Sequence, residues 1–306
     1  MVLVACFRAE AVIVYGTNGS GINNTSAPPD DPGWANVGTV GGSTAIYLGS
    51  QTTGYWMLTA NHVNLSGGTV ALNSGTYTIV GASVQQIGSA DLKVFRLQTD
   101  PGLSGVTIAS AAPSPTSSVV MIGNGRDRGA YTTWDGNPAG WGSPGTEASG
   151  YQWGSSQIVR WGSNVVLDNN LGVYSGATTF STVFNDISNP NEAQASLGDS
   201  GGGVFVKNGS LWELTGIMLA VGVWNGTSGG YYDQFTGQPS NVSLDYANTG
   251  FLGAGSATFS AQLSTYRSVI MAAIPEPSAN VLVLFSLVAV IMIRRAVRRS
   301  IPDMIR

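Results

Sequence analysis

An all-β fold is predicted by three features of the sequence. Turn formers abound, with 42 glycines among 306 residues and many Ser, Thr and Asn. Short apolar runs alternate with clusters of those turn formers. No long amphipathic helix pattern interrupts them. Charged residues make up only 10% of the chain, which also fits disorder. A hydrophobic content of 43%, with 8 Trp, 11 Tyr and 9 Phe, supplies core material and decides for a globular chain.

Taken in order, residues 17–36 collect Gly, Asn, Ser, Pro and Asp and read as an irregular, exposed segment. Strands are predicted at Ser43–Leu48, Tyr55–Ala60, Thr69–Leu72, Tyr77–Val80 and Leu92–Leu97. Ala111-Ala112-Pro113-Ser114-Pro115 reads as a linker. A second series opens at Ser118–Ile122, includes Gln157–Trp161, Asn164–Leu167, Gly203–Val206 and Leu214–Val221, and runs to about Ile270. Short strands of this kind build barrels or sandwiches. The expected division is 12–112 for the first β unit, 113–273 for the second and 274–306 for a terminal signal.

Charge and cysteine usage narrow the function classes. Between Val12 and Pro277 there are seven Lys/Arg and fifteen Asp/Glu, a net of -8. An acidic body without a basic patch argues against nucleic acid as a partner. Cys6 is the lone cysteine and His62 the lone histidine, so a body starting near Val12 has no disulfide and no His/Cys zinc site. Packing alone must hold it together, and no metal or cofactor is implied.

Both ends read as addresses. Met1-Val-Leu-Val-Ala-Cys-Phe7 is apolar and leads into Ala9-Glu10-Ala11, the A-x-A pattern of a secretory signal cut after Ala11, although a positive n-region is missing. The other reading is a buried first strand. At the far end, Ile274-Pro275-Glu276-Pro277 precedes the uncharged stretch Ala279–Ile293, then Arg294, Arg295, Arg298 and Arg299. Fifteen helical residues rise roughly 22 Å against a core of about 30 Å, and flanking arginines can snorkel to close the gap. Their position predicts a membrane helix with a cytoplasmic tail. A buried core helix is disfavoured because nothing follows the arginines to cover it.

Two motifs carry chemistry. In Gly198-Asp199-Ser200-Gly201-Gly202 the glycines permit a tight turn that aims backbone N–H groups at a developing oxyanion. The hole would be formed by Gly198 and Ser200, with Asp199 buried to hold the loop in shape. A plain hairpin tip is the alternative. Trp56-Met57-Leu58-Thr59-Ala60-Asn61-His62 is an apolar strand ending in the only available base for a serine nucleophile.

Together these motifs resemble the chymotrypsin/trypsin-like serine proteases, over about residues 38–225. The resemblance implies two six-stranded antiparallel β-barrels with the site between them, the chain order His, Asp, Ser, and a protein or peptide substrate. Ser89-Ala90-Asp91-Leu92-Lys93-Val94 resembles the family's Asp-bearing strand, with Lys93 in place of a small residue. Asp100 reads as a turn residue and Asp127 lies past the linker, so Asp91 completes the triad with His62 and Ser200. By the same resemblance Gln194, six residues before Ser200, lines the base of the specificity pocket. A neutral amide there disfavours Arg/Lys and predicts an apolar or small P1 side chain. Leu219 to Gly222 resembles the edge that pairs with substrate backbone. Signal cleavage would expose Val12-Ile13-Val14-Tyr15-Gly16, a start that could insert and pair with Asp199 as in many family zymogens.

The C-terminal order Pro-Glu-Pro, apolar helix, Arg cluster resembles the PEP-CTERM sorting signal of Gram-negative bacteria. It implies export, an exosortase-type processing enzyme and transient membrane anchoring before delivery to the cell surface or extracellular matrix. The expectation is a surface-sorted, monomeric serine endopeptidase. A catalytically silent protease-like binding module is the alternative. An esterase is the third reading, disfavoured because its Gly-x-Ser-x-Gly elbow normally precedes the histidine.

Overall fold

The computed structural model describes residues 12–16, 24–134, 148–174, 176–184, 189–225, 230–232, 242–244 and 254–274. Strand β1 spans Ile13–Val14. Six strands then close a barrel: β2 (Val37–Val40), β3 (Ser43–Gln51), β4 (Gly54–Thr59), β5 (Thr69–Leu72), β6 (Gly75–Gln86) and β7 (Lys93–Leu97), in the order β2-β3-β4-β7-β6-β5. The pairing of Thr39 with Ala71 shuts the ring. Strand β5 alternates as expected for one buried face, with Val70 and Leu72 inward. In β3, by contrast, Ala45 to Leu48 are all buried. One face fills the barrel and the other meets the second half of the chain, which explains a continuous apolar run. A register shift between Val80 and Gln85 lets the long β6 bend round the wall.

The second half begins with the short β8 (Thr107–Ile108) and is built from β9 (Ser118–Gly123), β10 (Arg126–Trp134), β11 (Ala148–Gln157), β12 (Arg160–Asp168), β13 (Val173–Tyr174), β14 (Ala177–Val183), β15 (Ala193–Gln194), β16 (Gly203–Asn208), β17 (Leu211–Asn225), β18 (Gly230–Tyr232), β19 (Val242–Leu244) and β20 (Ala254–Gln262). Its main sheet has nine strands, following β12-β9-β16-β17-β20-β14-β13 with β8 and β18 also on β17. Pairing of β12 with β14, Val166 to Thr182, draws the two ends toward each other in a partial ring. The expected architecture of two six-stranded barrels is therefore met by one closed six-stranded barrel and a second, larger curled sheet. A separate three-stranded sheet orders β10-β11-β19, and β1 pairs with β15.

Two departures have simple physical causes. The run Gln157–Trp161 is not one strand: β11 ends at Gln157 and β12 begins at Arg160. The chain changes sheets there, and Ile158 is left exposed. A helix, α1 (Leu263–Ala273), follows β20 directly and buries Leu263 and Ile270. Those two positions are seven residues apart, one helical face, and Tyr266 between them accepts the Thr178 N–H at its hydroxyl, 2.7 Å.

One hydrophobic cluster joins the halves. It runs from Ile46, Leu58 and Phe95 in the barrel to Phe205, Leu214 and Ile217 in the second sheet, and on to Leu263 and Ile270. Among the described residues no helix is long and apolar enough to cross a membrane. The predicted signal at 1–11, the Pro-Glu-Pro motif and the apolar segment 279–293 lie outside the described residues.

Candidate active site

Three elements deliver the predicted triad. Strand β4 ends at Thr59, and a turn closed by the Val63 N–H on the Ala60 carbonyl carries His62. Asp91 sits in the loop just before β7, and Ser200 lies in the loop between β15 and β16. Residues 29 and 138 positions from His62 converge on its ring. His62 Nδ1 lies 2.7 Å from Asp91 Oδ2, and His62 Nε2 lies 2.8 Å from Ser200 Oγ. The Asp91 carboxylate also accepts the His62 backbone N–H at Oδ1, 2.9 Å. Two bonds from one carboxylate fix both the ring and its main chain. With Nδ1–H committed to Asp91, Nε2 is left as acceptor for the serine hydroxyl. The His62 side chain is 46% exposed and that of Asp91 13%, so the ring faces solvent while its carboxylate partner is shielded. The other acids near in sequence do different work. Asp100 caps its own turn by accepting the Gly102 N–H, and Asp127 accepts the Ser156 N–H.

The loop bearing Ser200 is held from both halves. Asp199 is fully buried and its carboxylate accepts Gly125 N–H at 2.8 Å, Ser196 N–H at 2.7 Å and the Ser196 hydroxyl at 3.1 Å. A Cβ on Gly125 would fall 2.1 Å from Asp199 Oδ2, so only glycine admits this approach. Burial pushes the Asp199 carboxyl up to about 6, against the pull of those bonds and of the Arg160 charge. From the barrel side, Thr44 on β3 donates its N–H to the Ser200 carbonyl, 3.0 Å, and its hydroxyl to the Gly198 carbonyl, 3.0 Å. The same hydroxyl accepts the Asn124 N–H at 2.9 Å. Thr44 thus ties the barrel to the Ser200 loop with two bonds and to the β9–β10 turn with a third, a role no sequence motif announced.

Gly198 has φ 104°, a conformation open to glycine and strained for other residues. Around Ser200 the backbone N–H groups of Asp199, Gly201 and Gly202 are taken by the carbonyls of Ser196, Met218 and Asp199. Among the described residues no acceptor takes the N–H of Gly198 or of Ser200. Those are the two groups expected to stabilise an oxyanion.

Lys93, the residue out of keeping with the family pattern, has a clear task. Its side chain turns under the His62 turn, and Nζ donates to the carbonyls of Asn61 (2.9 Å) and Val63 (2.5 Å), on either side of the histidine. Burial pulls this ammonium below the ordinary lysine value, while the nearby Asp91 charge opposes that.

The expected substrate-binding residues are placed less directly. Gln194 is buried on β15 and donates to the Ala257 carbonyl at 3.4 Å, while its Oε1 finds no hydrogen-bond partner among the described residues. Ala257 is the ladder partner of Gly222, so Gln194 and Gly222 both meet this one β20 residue. On β17, β16 pairs as far as Ile217 and β18 pairs from Val223 onward. Leu219 to Gly222 therefore has β20 along one side and no strand along the other among the described residues. No cluster of three metal-ligating side chains occurs among the described residues.

No family model matches the chain, and no curated protein matches it. A solved structure that is similar in shape is that of Rv3671c from M. tuberculosis H37Rv, a Ser-to-Ala mutant in an inactive form. The likeness has 12% identity and a TM-score of 0.43, covering 82% of this chain and 98% of that one.

Proposed function

We propose that the protein is a serine endopeptidase of the trypsin-like, double-barrel kind, hydrolysing peptide bonds through an acyl-enzyme. One observation carries this reading: a single imidazole lies within hydrogen-bond distance of a carboxylate on one ring nitrogen and a serine hydroxyl on the other. As the substrate carbonyl is attacked by Ser200 Oγ, His62 Nε2 takes the hydroxyl proton. Asp91 holds the ring in the required tautomer and stabilises the imidazolium. The unpartnered N–H groups of Gly198 and Ser200 receive the oxyanion. His62 then returns the proton to the leaving amine, and water repeats the sequence to release the acid. The open side of Leu219–Gly222 suits pairing with an extended substrate backbone. The neutral Gln194 suits an apolar or small P1 side chain rather than Arg or Lys.

Activation by the segment after Ala11 fits the same reading. Val12 is buried among Ala193, Ala195 and Met218, and Ile13 pairs with Gln194. The N–H groups of Tyr15 and Gly16 are bound by the carbonyls of Glu192 and Pro190. A chain beginning at Val12 should be active, and one extended upstream should be slower; equal rates would refute the activation step. Export, processing at the Pro-Glu-Pro motif by an exosortase-type enzyme and delivery to the cell surface complete the proposal.

The test is release of acid-soluble peptides from casein by the purified protein and by Ser200→Ala. Hydrolysis by the parent and none above background in the variant is expected. Persistent proteolysis by Ser200→Ala would move the nucleophile elsewhere.

A further inference from the structure

Gln157 closes β11 on the surface of the second half, where an exposed glutamine ordinarily needs no explanation. Its carboxamide does not point into solvent. Nε2 faces the carbonyl of Gly42 at 3.0 Å, that of Asn124 at 3.2 Å and that of Leu197 at 3.4 Å. These acceptors come from the β2–β3 turn of the barrel, the β9–β10 turn and the nucleophile loop. A Cβ on Gly198 would fall 2.0 Å from Nε2, so the amide is packed directly over the Gly198 backbone.

We infer that Gln157 is a positioning residue for the oxyanion hole, acting through the Leu197–Gly198 peptide. A trans peptide holds its C=O and N–H in opposite directions in one plane. Fixing the Leu197 carbonyl at Gln157 therefore fixes where the Gly198 N–H points. The Gly198 carbonyl is fixed in turn by Thr44, so both peptide planes flanking Gly198 have a side chain holding them. The second contribution is electrostatic. Three carbonyl oxygens from separate segments converge on the carboxamide behind the Gly198 peptide, and its N–H₂ sets partial positive charge among them. Without it the three oxygens would repel one another and push the Leu197–Gly198 peptide out of its plane. The inference rests on the serine hydrolase reading above and adds to it a residue outside the triad and the glycine-rich loop.

The experiment measures the second-order rate of Ser200 phosphonylation by an alkyl fluorophosphonate, whose phosphoryl oxygen occupies the oxyanion hole. Parent, Gln157→Ala and Gln157→Glu are compared, with melting temperatures and with kcat and KM on an alanyl p-nitroanilide. Gln157→Ala should react about tenfold more slowly, less than the 10²–10³ that follows removal of a hole donor itself. The loss should fall in kcat with KM unchanged, because ground-state binding does not use the hole. Gln157→Glu keeps shape and packing but replaces the donor by a carboxylate, so it should be slower than the alanine variant. A merely space-filling glutamine would give the reverse order. Equal rates in all three proteins, a Glu variant as fast as the parent, or a loss confined to KM or matched by a fall in melting temperature would overturn the inference. Absence of label from the parent's Ser200 would instead refute the serine hydrolase reading itself.

Discussion

Thr44→Val isolates the tie between the two halves. Valine has nearly the shape of threonine, so packing in this fully buried position is kept and only the hydroxyl is lost. Two bonds go with it, the donation to the Gly198 carbonyl at 3.0 Å and the acceptance from the Asn124 N–H at 2.9 Å. A buried backbone group left without a partner costs about 1–3 kcal/mol. Both groups are buried, so the Asn124 N–H loses its acceptor and the Gly198 carbonyl loses its hydroxyl donor. The expected destabilisation is therefore about 2–4 kcal/mol, read from urea unfolding with an unchanged m-value. Activity should fall about tenfold beyond any loss of folded protein, since the Gly198 peptide is freed on its carbonyl side. Thr44→Ser retains the hydroxyl and should recover most of the activity, at a cost near 1 kcal/mol for the missing methyl. A Thr44→Val protein within 0.5 kcal/mol of the parent and equally active, by roughly the measure of an ordinary surface change, would refute the idea that this hydroxyl holds the loop.

Lys93→Met should lower kcat about tenfold, since the turn carrying His62 loses both of its charge-assisted anchors and small misplacements of a catalytic group are costly. Steady-state kinetics on the p-nitroanilide checks this, and unchanged kcat would show that the turn holds itself. Asp199 sets a pH dependence of stability. Its carboxyl rises to about 6 in the fold from an ordinary value of 3.8. Below about pH 3 it is neutral folded and unfolded and costs nothing; as pH rises from about 4 to 6 the unfolded chain ionises while the folded one does not, and above 6 the cost levels off. The fold should therefore lose about 3 kcal/mol between pH 3 and 7 through this group. Urea titrations across that range in the upstream-extended chain and in its Asp199→Ala variant isolate the effect as the pH-dependent part of their difference. A difference that stays flat with pH would contradict it.

Most of the candidate site was legible because its motifs are local. Trp56 to His62 and Gly198 to Gly202 are contiguous stretches whose chemistry can be read residue by residue. Asp91 was reachable by excluding Asp100 and Asp127; Asp100 caps its own turn, and Asp127 binds the Ser156 N–H of the neighbouring strand. What stayed hidden is held together across the chain. Thr44 reaches residues 80 and 154 positions away, and Gln157 spans 115 positions to Gly42. An isolated threonine or glutamine carries no periodicity and no motif, so nothing marks such a tie before the strands are in place. Lys93 was visible only as a departure from a family pattern; its partners on either side of His62 supply the reason. In the fold, alternating runs such as Thr69–Leu72 were readable, whereas the unbroken burial from Ala45 to Leu48 and the sheet change at Ile158 depend on which half covers which. Helix α1 escaped because it is short and its apolar face is carried by few residues.

The central claim is that Ser200 is a nucleophile activated by His62. Peptide mass mapping after fluorophosphonate treatment tests it most directly. The adduct should appear on Ser200 in the parent and be lost when His62 is replaced by alanine. An adduct on another residue, or equal labelling of Ser200 without His62, would contradict the account.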